Sequence, residues 1–177
     1  MLAIKDMPHI HSFAPIEDAA AKVLILGSMP GKESLKAGQY YAHPRNAFWP
    51  IMGNLVGANA SLPYELRVQK LKASNIALWD VLASCKRHSS LDADIDTDSI
   101  TPNDFEAFIF THPNITHIFF NGAMAEKCFH EYVKLAFVPS LLQFQRLPST
   151  SPANASMTFS QKLNAWKAIN ETCRIKL

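Results

Sequence analysis

Cysteine is scarce in this chain, and its spacing excludes several kinds of chemistry. Cys85, Cys128 and Cys173 lie far apart and form no CxxC pair, so zinc ribbons and thioredoxin-like redox motifs have no support. A four-cysteine iron–sulfur cluster cannot be built from three thiols. Thiols this sparse fit reduced side chains in a cytoplasmic protein. His9 and His11 have no carboxylate or cysteine at a ligand-like spacing, and no metal is expected. No apolar run approaches the ~18 residues that a membrane span requires. Residues Met1–Ala20 carry Asp6, Glu17 and Asp18 and lack the apolar core of a secretory signal. An excess of one charge is missing too: 17 Lys and Arg face 15 Asp and Glu, for a net charge of +2. That balance permits nucleic-acid binding without arguing for it. No repeat, low-complexity tract or linker divides the 177 residues, which are 48% hydrophobic and 18% charged. A single folded domain spanning residues 1–177 is expected.

What the chain does have is a series of short apolar runs. Lys22–Gly27 (KVLILG) is continuously apolar and ends in glycine, the pattern of a strand buried on both faces of a parallel sheet. Asn75–Val81, Ile115–Asn121 and the more polar Leu142–Leu147 follow. Helical spacing fills the gaps at Asn46–Val56, Tyr64–Lys72, Asp104–Phe110, Ala123–Lys134 and Thr158–Arg174. The last places Phe159, Leu163, Trp166 and Ile169 on one stripe, with Ser156 or Thr158 as cap. Strands alternating with helices predict an α/β fold with a parallel sheet covered on both faces. Ligands of such sheets bind beyond the carboxyl ends of the strands, which directs attention to the segments after Gly27, Val81, Asn121 and Leu147.

Three of those segments can carry chemistry. Gly27-Ser28-Met29-Pro30-Gly31 is neither a dinucleotide fingerprint nor a P-loop, but its glycines let backbone approach a ligand. The Ser28 hydroxyl can hold a phosphate or cap the next helix. Gly38–Trp49 gathers four aromatics with His43, Arg45 and Asn46. Aromatic faces stack on bases, an amide reads base edges or orients water, and arginine meets phosphate. The plainer reading makes Asn46 a helix cap and Phe48 and Trp49 core anchors. Leu147–Ala155 sets Ser149, Thr150 and Ser151 between two prolines, a stiff turn that either clamps a sugar-phosphate backbone or merely connects elements. Cys85-Lys86-Arg87-His88 reads as a solvated basic cluster.

The segments 27–31, Tyr41–Trp49 and Pro148–Asn154 together resemble the uracil-DNA glycosylase superfamily. The likeness is strongest to its hypoxanthine-DNA glycosylase branch, near the mismatch-specific thymine/uracil enzymes. His11–Pro15 and Leu78–Val81 look similar as well, so the resemblance runs from about residue 11 to 170. It implies a three-layer α/β/α sandwich around a four-stranded parallel sheet, with DNA across the carboxyl ends of the strands. It implies that Phe48 stacks on the flipped base and that Asn46 is the catalytic asparagine. Met29, Tyr41 and His43 would contact base or water. Gly27, Ser28, Pro30 and Gly31 would form the water-activating loop, and Ser149, Ser151, Pro152, Ala153 and Asn154 the loop that pinches phosphates and enters the duplex. Where the uracil and mismatch branches carry Asp or Asn, this chain has Met29, which moves the catalytic burden to Asn46.

The expected activity is monofunctional hydrolysis of the N-glycosidic bond of a deaminated base in DNA, hypoxanthine or uracil, by a monomer without cofactor. Lys32 and Lys36 raise a Schiff-base lyase, though nothing marks either as desolvated. Two rivals stand beside it: a non-catalytic nucleic-acid-binding module of the same fold, and an enzyme of free nucleosides or nucleotides.

Overall fold

The computed structural model describes residues 7–173. A short strand, β1 (His9–His11), precedes the apolar run that forms β2 (Val23–Gly27). Next come α1 (Lys32–Ala37), α2 (Phe48–Val56) and α3 (Tyr64–Ala73). Two strands follow in quick succession, β3 (Ile76–Asp80) and β4 (Leu82–Arg87). A 3-10 turn (Asp92–Asp94) leads into β5 (Ile95–Pro102) and α4 (Phe105–Thr111). The chain continues through β6 (His117–Asn121), α5 (Ala123–Tyr132) and β7 (Gln143–Leu147) to α6 (Phe159–Trp166) and α7 (Ala168–Cys173).

The four expected strands form one parallel sheet in the order β3-β2-β6-β7. Every residue of β2 is buried, because successive side chains enter opposite layers. Val23 and Ile25 pack with Phe48, Met52, Leu71, Trp166 and Ile169 of α2, α3, α6 and α7. Leu24 and Leu26 pack with Phe105, Phe108, Cys128 and Phe129 of α4 and α5. The sheet is thus the middle of an α/β/α sandwich. Its register sets Gly27 beside Asp80 and Asn121 beside Leu147 at the carboxyl edge.

Other elements depart from the sequence reading. A second, antiparallel sheet, β1-β4-β5, flanks the main one. The basic cluster expected on a solvated face lies largely in β4, where Cys85 and Arg87 are buried. Arg87 Nη2 donates to the Pro30 carbonyl, and Nη1 lies 3.8 Å from Asp92 Oδ1, so a neighbouring loop rather than water receives the guanidinium. The final helix divides at Lys167 into α6 and α7, and Arg174 lies outside the described residues. Its stripe is incomplete, since Phe159 is exposed while Trp166 and Ile169 are fully buried. Thr158 caps α6 in a reciprocal capping box with Gln161. Among the described residues, no helix is long and apolar enough to cross a membrane.

Candidate active site

The carboxyl edge of the sheet opens into a cavity of about 260 Å³ between β2 and β6, where connections leave the sheet in opposite directions. Its walls come from three loops singled out in the sequence and from one that was not. Gly27, Ser28, Met29, Pro30 and Gly31 form the floor. Tyr41, His43 and Asn46 form one wall, and Ser149, Ser151, Pro152 and Ala153 another. Ser90, Leu91 and Asp92, from the β4–β5 connection, close the remaining side.

Gly27 is where the backbone must be bare. A Cβ there would lie 2.5 Å from Asp80 Oδ1 and 2.9 Å from Tyr41 Oη, closer than packed atoms approach. Asp80 ends β3 and is 4% exposed, with Oδ2 buried. Burial first, and the charge of Asp92 second, push its pKa up to about 7 against the opposing pull of Arg87. Oδ2 of Asp80 and Oη of Tyr41 are buried without hydrogen-bond partners among the described residues. Burial, followed by the Asp80 charge, also raises the Tyr41 hydroxyl pKa above its ordinary value. Tyr41 has φ 53°, a left-handed backbone uncommon for a bulky residue. Such strain persists only where surrounding contacts hold it.

Those contacts are aromatic. Tyr41 stacks on Phe48 with ring centroids 4.2 Å apart and planes 25° apart. Phe48 is fully buried, with Trp49 and Trp166 edge-on to it. The face that the sequence reading gave to a base is therefore covered by Tyr41, and Tyr41 is the ring that fronts the cavity. Tyr40, beside it, is anchored through its hydroxyl to the Ala14 carbonyl, 2.8 Å away in the opening segment.

Asn46 lies half-buried in the cavity wall, and its Oδ1 accepts the Phe48 N–H at 2.9 Å. That bond pins the amide at the start of α2, whose cap position is Ala47. Asn46 is thus not the N-cap itself; its amide holds the N–H of Phe48 from the position before the cap. The second lone pair of Oδ1 and the Nδ2 protons remain available. His43 accepts the Arg45 N–H on Nδ1 at 3.1 Å, which leaves Nε2 as its outward nitrogen. Met29 is nearly buried and shared with the core under α4 and α5.

Ser28 does not cap α1, which opens at Gly31 without a side-chain cap. Its hydroxyl donates to Asp92 Oδ1 at 2.8 Å. Ser149 and Ser151 behave differently. Ser149 Oγ accepts the Ser151 N–H and Ser151 Oγ accepts the Ala153 N–H, both at 3.2 Å, so their hydroxyl protons stay free for an anion. Asn154 does not line the cavity; its Nδ2 donates to the Ser149 carbonyl at 3.1 Å and braces the turn.

Several site residues escaped sequence reasoning. Asn121 lines the cavity and exchanges two 2.9 Å hydrogen bonds with the buried Thr150, tying β6 to the serine loop. Its signal was available: a lone amide ending an otherwise apolar strand. Gly122, with φ +93°, has Ser149 Cβ 2.9 Å from where its own Cβ would be, so this turn also seats the serine loop. Lys162 is buried behind that loop, where Nζ reaches the Ser151 carbonyl at 3.3 Å and burial lowers its pKa. Ser90, Leu91 and Asp92 had no legible signal, because the strands that carry them here were not foreseen.

Known proteins are similar to this chain in sequence and fold. The family model for the uracil DNA glycosylase superfamily matches residues 14–172. A protein of Methanosarcina acetivorans named hypoxanthine DNA glycosylase is 34% identical over 158 residues, covering 89% of this chain and 95% of the relative. One of Methanosarcina barkeri with the same name is 39% identical over 111 residues, covering 62% of this chain and 69% of the relative. The solution NMR structure of a Methanosarcina acetivorans protein assigned as a uracil DNA glycosylase superposes with a TM-score of 0.76 at 29% identity, covering 94% of this chain and all of that one. The chain belongs to the uracil DNA glycosylase superfamily.

Proposed function

We propose that this protein is a monofunctional DNA glycosylase that hydrolyses the N-glycosidic bond of a deaminated base, hypoxanthine foremost. What carries the reading is the convergence of Asn46, Tyr41 and the Ser149–Ala153 turn on one cavity at the sheet edge, in a chain whose relatives bear the name hypoxanthine DNA glycosylase. The target nucleotide leaves the stack at a cost of a few kcal/mol, least for a mispaired base. Ser149 and Ser151 donate to the flanking phosphates. The base lies against Tyr41, which Phe48 backs, with Met29 and His43 at its edges. Asn46 Oδ1 holds water at C1′ while an oxocarbenium-like sugar develops. The N–H groups of Met29 and Gly31, which have no partner among the described residues, stabilise charge on the departing base. The protein acts as a monomer in the cytoplasm, where free Cys85, Cys128 and Cys173 stay reduced.

The test is incision of labelled duplexes, each carrying one hypoxanthine, uracil or xanthine, after alkali treatment. Wild type is expected to release hypoxanthine fastest. Asn46→Ala is expected to lose about 100-fold or more in single-turnover rate while still binding the duplex. Binding without base release would instead mark a non-catalytic nucleic-acid-binding module.

A further inference from the structure

Hydrolysis must deliver a water proton somewhere, and an amide such as Asn46 does not accept one near neutral pH. Met29 leaves the floor loop without a titratable group. Two carboxylates line the cavity, Glu33 and Asp92. Glu33 lies exposed in the first turn of α1, and its carboxylate makes no hydrogen bond among the described residues. Asp92 is half-buried and oriented. Its Oδ1 receives the Ser28 hydroxyl proton at 2.8 Å and has Arg87 Nη1 3.8 Å away, while Oδ2 has no protein donor among the described residues. The turn carrying Asp92 is itself pinned, since Ser90 Oγ accepts the Lys32 N–H at 2.8 Å and Ser89 Oγ accepts the Leu91 N–H at 2.8 Å.

We propose that Asp92, entering from the β4–β5 connection, is the general base that takes the proton of the attacking water. The inference rests on the glycosylase reading above and adds the group that reading lacks. Water oxygen bonds to C1′ as the bond from C1′ to the base nitrogen breaks. The electron pair of that bond leaves with the base, and the water proton moves to Asp92 Oδ2. The base departs as an anion and takes a proton from solvent, while Asp92 returns its own proton to solvent. The buried Arg87 guanidinium, with Nη1 3.8 Å from Oδ1, favours the ionised form of the carboxylate. Burial works the other way and raises its pKa against Ser28 and Arg87, making it a stronger base than an exposed aspartate. The charged and titratable groups around it are Arg87 and Cys85 from β4, Asp80 from β3, Tyr41 from the opposite wall and Cys128 from α5, with Lys32 and Glu33 of α1 lining the same cavity.

The experiment is single-turnover release of hypoxanthine from about pH 5 to about pH 8, with duplex binding and thermal melting measured alongside. Asp92→Asn keeps an acceptor for Ser28 but no base. It is expected to react about 100- to 10,000-fold more slowly, bind the duplex like wild type, and lose the wild-type fall in rate at acid pH. Asp80→Asn is expected to keep that fall, which assigns it to Asp92. Ser28→Ala keeps the carboxylate but removes its hydrogen-bond donor, so the acid limb is expected to move to higher pH even where Asp92→Asn does not fold. Rates for Asp92→Asn within about threefold of wild type, or an acid limb that Ser28→Ala leaves in place, would overturn the inference while the glycosylase reading stands. A wild type that binds but releases no base from any duplex overturns both.

Discussion

Asp80 is a carboxyl group with almost no water around it, and its ionisation is linked to folding. Its pKa is pushed up from the ordinary aspartate value to about 7 in the folded chain. Between the two values the folded state holds a proton that the unfolded state has released, so stability falls as pH rises. The contribution is fully present below the unfolded pKa and lost as pH rises through about 7. Burying the charged form costs on the order of a few kcal/mol by about pH 8. Urea melts of wild type are therefore expected to weaken from about pH 5 to about pH 8, and those of Asp80→Asn to lose most of that slope. Equal slopes in the two proteins would mean that Asp80 stays ionised or finds a donor. Tyr41 shares the same dry corner, so its left-handed backbone and its hydroxyl depend on what occupies position 80.

Among the elements, α6 links local sequence to the serine turn. Its capping box sets the start of the helix, and three side chains four residues apart act along it: Thr158 at the cap, Lys162 under Ser151, and Trp166 donating from Nε1 to the Pro148 carbonyl at 2.9 Å. Trp166→Phe keeps most of the fully buried ring but loses that bond. A destabilisation of about 1–2 kcal/mol is expected, measured by denaturant melts, with weaker binding to abasic duplex because the turn at Ser149–Asn154 loosens. Thr158→Ala is expected to cost about 1 kcal/mol. A Trp166→Phe protein that melts lower yet binds duplex unchanged would show that the turn holds without the helix.

The same scale explains what the sequence discloses. Strands buried on both faces write themselves as unbroken apolar runs, so KVLILG and ITHIFFN are legible, and glycine or a lone polar residue marks where each stops. β5 reads Ile-Asp-Thr-Asp-Ser-Ile-Thr-Pro with no residue fully buried, a pattern no propensity separates from a polar loop. β4 mixes buried and half-buried positions on both faces and carries Lys86 and Arg87, whose charges suggest water. In the site, loops that follow legible strands were found. Asp92 meets Ser28 across 64 positions of sequence, and only the pairing of the unforeseen strands brings them together.

For the whole molecule, charge sets the terms of DNA binding. A net charge of +2 leaves little general attraction to a polyanion, so the phosphates must be met by local donors. In the proposed binding mode the exposed Lys32, at the cavity, and the exposed Arg45, next to the lining residue Asn46, would join the hydroxyls of Ser149 and Ser151. Counterion release is expected to give a shallow salt dependence, equivalent to about three to five phosphate contacts. Titrations of a hypoxanthine duplex at several salt concentrations measure it. A slope near −10, typical of an extensively basic interface, would require a DNA path far beyond this cavity.

The closeness of Gly27 to Asp80 also reaches into how the chain can vary. One small volume at the edge of the sheet is shared by two positions on neighbouring strands, so position 27 cannot gain a side chain while an aspartate-sized group stands at 80. A library randomised at both positions and selected for a folded chain is expected to return alanine at 27 only with glycine, alanine or serine at 80. Aspartate at 80 is expected to survive only with glycine at 27.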